Sequence, residues 1–230
     1  MGIAYSFEIE DDNGSSENIE MTTKNISFSK NAPETDCRFN SVKEIGDRIG
    51  IKLLESENRY KYDGSIQYTA EKDKHGNLIG ALISDDMYSV GDLKNISVNK
   101  GTVSDETDLL NYKTTELYKS PIMMQISIRN ETENSTDKYT GEELSFASKN
   151  TQIDLTGKSG KKHNAEVYNM KNLKIKAVLF DDKTDGPTGW GYDNTQIKVT
   201  MAVFVYNDVE YIYSGGVNHE TMKKFLDSLN

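Results

Sequence analysis

Apolar and polar residues alternate along much of this chain, and a period of two puts one apolar face on an extended strand. The alternation is cleanest at Ile197, Val199, Met201, Val203 and Val205, and it recurs at Ile122, Met124, Ile126 and Ile128. Ile3, Tyr5, Phe7 and Ile9 form a first strand over residues 3–10, which runs into Asp11-Asp12-Asn13-Gly14, a turn signal joining antiparallel neighbours. The return strand is expected over residues 19–28, with a bulge where the phase changes near Lys24-Asn25. Residues 31–40 read as an ordered loop, and Ile49, Ile51 and Leu53 predict a strand over residues 48–54. Tyr60, Tyr62, Ile66 and Tyr68 outline a hairpin arm turned at Asp63-Gly64, and further strands are expected over residues 173–180 and 209–213.

Two stretches break the period of two. Over residues 104–118, Asp105 and Glu106 occupy a first helical turn and Leu109, Leu110, Lys113 and Leu117 follow at helical spacing. Near the end, Gly215-Gly216 interrupts the strand pattern, Asn218 is placed to cap a helix, and Met222, Phe225, Leu226 and Leu229 make one apolar stripe over about residues 218–229. The fold class is therefore mainly β with one central and one C-terminal helix. A single domain over residues 1–230 is expected, with long polar loops at about 129–165 and 181–194.

Composition narrows the function classes. The net charge of −10 disfavours nucleic acid and anionic membrane as partners, since both demand a concentrated basic surface. Lys158, Lys161 and Lys162 are the densest basic stretch and sit in a Gly-rich loop. The first ten residues lack the basic and apolar regions of a signal peptide, and no apolar run approaches a membrane span, so the chain is expected to be made and folded in the cytoplasm or to leave it by a route that needs no cleaved signal. Met1-Gly2 with Ser6 fits the loose myristoylation pattern, but the same residues read better as strand.

Candidate chemistry is sparse. The single cysteine, Cys37, excludes an intrachain disulfide, and His75, His163 and His219 each lack a partner at a recognisable spacing. No zinc set, P-loop, dinucleotide fingerprint or nucleophile elbow is present, so no catalytic, cofactor or metal residues are assigned. Asp181-Asp182-Lys183-Thr184-Asp185-Gly186 is oxygen-rich, but Lys183 and Tyr192 stand where an EF-hand loop needs its third and twelfth ligands. A solvated loop with Trp190 packing its base is the reading there. The 13 tyrosines raise a sugar-stacking platform as one alternative and half-buried sheet positions as the other.

The stretch Ile26-Ser27-Phe28-Ser29-Lys30-Asn31-Ala32-Pro33-Glu34-Thr35-Asp36-Cys37-Arg38, followed by Gly46 and the expected strand at 49–53, resembles a group of Firmicute proteins. That group belongs to the tail-tube class, which includes the Hcp tube proteins of type VI secretion, and some of its members are labelled membrane-associated proteases. The order of a central helix, a strand at 122–129 and a closing pair at 165–180 and 197–206 is similar as well, though this chain is longer and adds a C-terminal helix. The resemblance implies a β-barrel of two packed antiparallel sheets and a non-enzymatic subunit. That subunit forms hexameric rings that stack as the inner tube of a phage-tail-like contractile injection system. It leaves open the tube shaft or a related ring, cap or baseplate-proximal piece. The implied partners are further copies of the chain together with sheath, baseplate or cargo proteins, and the implied location is a cytoplasmic assembly or a released particle. Phe28, Pro33, Asp36 and Arg38 are the candidate interface residues, with Arg38 bonding a carbonyl or carboxylate of the neighbouring chain or, as the alternative, clamping a loop within its own chain. The alternative is a surface adhesin or carbohydrate-binding β-sandwich module.

Overall fold

The computed structural model describes residues 4–10, 16–57, 65–88, 122–130, 151–154, 165–185 and 196–230. Eleven strands and two helices lie in these segments, so the chain is mainly β. Eight strands form one antiparallel sheet in the order β3-β4-β5-β6-β11-β10-β9-β8, and three form a smaller sheet in the order β2-β1-β7. The large sheet comprises β3 (Cys37–Phe39), β4 (Ile66–Lys72), β5 (Leu78–Tyr88), β6 (Ile122–Arg129), β8 (Ala165–Asn169), β9 (Lys176–Asp185), β10 (Gln196–Tyr206) and β11 (Val209–Gly215). Among the described residues no ladder joins β3 to β8, so this sheet is open. In the small sheet, β1 (Ala4–Glu10) pairs antiparallel with β2 (Ser16–Thr22) but parallel with β7 (Thr151–Asp154), so it is not the purely antiparallel layer expected.

Register defines the two faces of the large sheet. Tyr68, Ile83, Ile126, Tyr211 and Phe204 are paired in turn across five strands and form a buried row. Helix α2 (His219–Leu226) lies on this face through Phe225, whose ring meets Tyr213 and Tyr88 at centroid distances of 4.9 and 5.1 Å. The same face receives the segment after α1 (Val42–Ile49), because the Tyr211 hydroxyl accepts from the Leu54 amide. The chain end closes over it through paired backbone bonds between Glu55 and Asn230. On the opposite face, Val178, Val203 and Ile212 align, and β2 lies against β10 with Ile19 and Met21 buried. Covering both faces explains why β11 and the end of β6 are buried at consecutive positions.

Local chemistry accounts for the clearest elements. The β10–β11 hairpin turns on Asn207 and Asp208, both left-handed at φ 50° and 65°, as a two-residue turn matching strand twist requires. Helix α2 is capped as the sequence indicates: the Asn218 side chain accepts from the Thr221 amide, while Met222, Phe225 and Leu226 face inward.

Five expectations are corrected, the first being the long loop at 129–165, which contains β7 (Thr151–Asp154) paired with β1. No strand forms over 48–54: residues 48 and 49 end α1 and residues 50–54 are irregular, since Ser41 Oγ accepts from the Glu44 amide, Glu44 reaches back to the Asn40 amide, and Gly50 ends the helix at φ 78°. The Gly-then-strand order of the tube-like pattern is therefore not followed after Gly46. The return strand expected to reach residue 28 stops at Thr22. Beyond it the Asp208 carboxylate takes the Lys24 amide, and Asn130 exchanges two bonds with the Ile26 backbone, so no bulge is needed. Residues 173–175 belong to a turn closed by Met170 N–H to Ile175 O, and β9 begins only at Lys176. The expected loop at 181–194 begins later as well, because Asp181–Asp185 continues β9 against β10. The helix expected at 104–118, Tyr60, Tyr62 and the Asp63-Gly64 turn, His163 and Trp190 lie outside the described residues.

Candidate functional site

Of the four residues singled out from the sequence, Arg38 lies in β3, and Pro33 and Asp36 lie in the loop that precedes it and bond β4. Phe28 packs partly buried against the core. The Pro33 carbonyl accepts from the Tyr68 hydroxyl at 3.1 Å, and Asp36 Oδ1 accepts from the Ala70 amide at 3.1 Å, one ladder position beyond the end of β3. Arg38 Nη1 donates to the Ser65 carbonyl at 3.2 Å. The Arg38 bond therefore reaches a carbonyl of its own chain. Together these contacts fasten the 33–38 loop along β4.

A second constellation assembles where α2 crosses β8 and β9. His219 is the first residue of α2, and its ring stands between two carboxylates: Nδ1 lies 2.6 Å from Glu166 Oε1 of β8, and Nε2 lies 3.2 Å from Asp181 Oδ1 of β9. Lys223, one helical turn on, reaches Glu166 Oε2 at 2.9 Å and Glu220 Oε1 at 2.8 Å. At the other end of the helix, Asp227 accepts from the Tyr168 hydroxyl at 2.8 Å and the Lys171 amide at 3.0 Å, and the Asn172 amide donates to the carbonyls of Leu226 and Leu229. A polar seam thus binds both ends of α2 to the β8–β9 hairpin.

The electrostatics follow from this packing. Burial pushes the His219 ring toward neutrality, but its bonds to Asp181 and Glu166 pull the other way and prevail, so its pKa is raised. The Tyr168 hydroxyl is pushed up to about 12, first by burial and then by its bond to the Asp227 carboxylate, which keeps it protonated as a donor. His219, which has no partner at a recognisable sequence spacing, thus has two through the fold. Its partners come from strands 38 and 53 residues away, beyond the reach of any spacing motif. One signal was present in the sequence: Asp181 continues the parity of Ala177 and Leu179 on an otherwise apolar face, and a charge there demands a partner.

The remaining candidates lie apart from this cluster. His75 sits in the β4–β5 turn, where Asp73 Oδ1 accepts from the His75 and Asn77 amides. Burial raises the pKa of the Cys37 thiol, against the pull of Arg48. Tyr68, Tyr88, Tyr211 and Tyr213 are fully buried rather than half-buried, so these four offer no stacking face to a sugar. Among the described residues, no group of three or more His, Cys, Asp and Glu side chains is arranged to hold a metal ion, and no helix is long and apolar enough to cross a membrane. Compared with protein-family models, with curated proteins and with solved structures, the chain matches none.

Proposed function

We propose that this chain is a structural subunit that works by association rather than catalysis. Its copies join into hexameric rings that stack as the tube, or a related ring or cap, of a phage-tail-like injection apparatus. The observation that carries the reading is the open eight-stranded sheet, with β3 at one edge and β8 at the other. An exposed strand edge is a template for pairing with another chain, and closing a ring removes such edges. Joining the β3 edge of one copy to the β8 edge of the next is a head-to-tail contact, which generates a ring when the rotation closes. In this reading the barrel is completed between neighbouring subunits, and the 33–38 loop, held against β4 by Pro33, Asp36 and Arg38, shapes the edge that meets the neighbour.

Sedimentation and negative-stain microscopy of the purified protein over a concentration series test this directly. Concentration-dependent rings are the expected result, and a monomer at every concentration overturns the proposal. Arg38→Ala then tests the loop. Its bond to Ser65 is intrachain and solvent-exposed, so thermal unfolding should move little, while ring assembly should weaken if the loop that this bond holds is the edge that meets the neighbour. A variant whose monomer melts much earlier while rings form normally would assign Arg38 to the monomer's own stability.

A further inference from the structure

A neutral imidazole carries one N–H and one lone pair, so it donates to only one acceptor. Both His219 ring nitrogens face carboxylate oxygens at hydrogen-bonding distance, and carboxylates only accept. With both carboxyl groups ionised, the two bonds exist together only when the ring is an imidazolium. The position is otherwise a poor one for a cation: His219 lies at the positive end of the helix dipole, with its side chain only 14% exposed. The charge is held there by the two strands. Loss of the proton leaves a lone pair pointing at one of the carboxylates, and Asp181, with its side chain 10% exposed, then has an uncharged ring in place of its cation.

The charged neighbours define what such a loss releases. From β8 the ring faces Glu166, from β9 it faces Asp181, and on its own helix Glu220, Lys223 and Lys224 stand nearby. Lys223 also bonds Glu166 and the neutral ring keeps one of its two bonds, so neutralising His219 weakens the grip on the N-terminal turn by one charged contact. The far end is fastened independently by Asp227 to the Lys171 amide and the Tyr168 hydroxyl, and by Asn172 to the last helical carbonyls. None of those bonds depends on the His219 proton.

We propose that His219 is a proton-operated latch. When charged it fastens the first turn of α2 to both β8 and β9, and when neutral it gives up one of these two strands and loosens that turn while the helix C-terminus stays anchored. This device stands whether or not the chain assembles into rings. The direction in pH follows from linkage. Because the folded-state pKa is raised, the latch's stabilisation is fully present below the unfolded value of about 6.5 and is lost as pH rises through the folded value. Of the two strands, β8 is the edge of the large sheet.

Nuclear magnetic resonance titration of the wild-type ring, alongside amide exchange corrected for intrinsic rate, tests the latch from about pH 6 to about pH 9. At the acid end both ring nitrogens should carry protons, with a midpoint above about 6.5. Protection of the amides in the first turn of α2 and in β8 should fall through the same midpoint, by about tenfold for each unit separating folded and unfolded pKa values. Glu166→Gln keeps an acceptor but removes a charge, so it should move both midpoints to lower pH together. His219→Asn should abolish the pH dependence. A ring that titrates below about 6.5, or protection indifferent to its midpoint, overturns the latch. Glu166→Gln lowering protection at every pH without moving the midpoint would do the same. If His219→Asn does not fold, the wild-type titration alone decides.

Discussion

Phe225→Ala should lower the unfolding free energy by about 3–5 kcal/mol, the range for emptying an aromatic site in a packed core. Phe225 is fully buried and is the side chain through which α2 rests on the sheet. Its ring is edge-on to Tyr213 at 4.9 Å and 69°, and tilted against Tyr88 at 5.1 Å and 50°. The contact continues into the sheet, since Tyr213 stacks near Phe204 and Phe204 stacks on Tyr211 at 5.1 Å and 11°. Tyr211 in turn fixes the Leu54 amide, which lies just before the strand-like contact between Ser56 and Leu229. A void at Phe225 therefore opens where β5, β10, β11, α2 and the chain end converge. Such a site cannot collapse easily, and the cost should fall in the upper half of the range. Met222→Leu is the control, because it keeps volume on the same buried stripe and should cost less than about 1.5 kcal/mol. Urea unfolding of both variants measures the difference. A loss below about 1.5 kcal/mol for Phe225→Ala would mean that α2 adds little to the core.

The sequence exposed those elements whose pattern has one cause. Strand β6 reads cleanly because Ile122, Met124, Ile126 and Ile128 all face the helices, and α2 reads cleanly because its cap and stripe agree. It misled where two patterns overlapped. Ile49, Ile51 and Leu53 alternate only because the last helical turn of α1 happens to precede an irregular segment. The better signals were Ser41 three residues before Glu44 and the glycine at position 50, which mark a helix at both ends. Strand β5 was missed for a different reason. Residues 78–83 are nearly all apolar, and an unbroken apolar run has no period to read. The 33–38 loop was legible as ordered, but its contacts with Tyr68, Ala70 and Ser65 depend on strand pairing that local spacing does not encode. The His219 cluster needed three elements to be placed before it existed at all.

Gly80 should prove nearly as intolerant as Phe225, for a reason invisible in its backbone angles. It sits in β5 between Glu71 of β4 and Arg129 of β6, paired directly with both. A Cβ at Gly80 would lie 2.5 Å from Glu71 Oε2 and 2.7 Å from the Ile128 carbonyl oxygen. The first neighbour is the end of a side chain and can move, but moving it draws Glu71 away from Arg129 Nη2, now 3.7 Å from Glu71 Oε1 with both side chains largely buried. Removing one partner of a buried ion pair costs about 3–5 kcal/mol, which is the ceiling for displacing Glu71, and the backbone carbonyl adds overpacking strain of about 1–3 kcal/mol. Gly80→Ala should therefore lose about 3 kcal/mol or more, although alanine suits a strand no worse than glycine does. A double-mutant cycle separates the two causes. Glu71→Ala removes the carboxylate that the new methyl would strike, so Gly80→Ala should cost at least about 1 kcal/mol less in that background than in the wild type. Full additivity would place the whole penalty on the Ile128 carbonyl, and the space at Gly80 would then have no part in holding Glu71 beside Arg129.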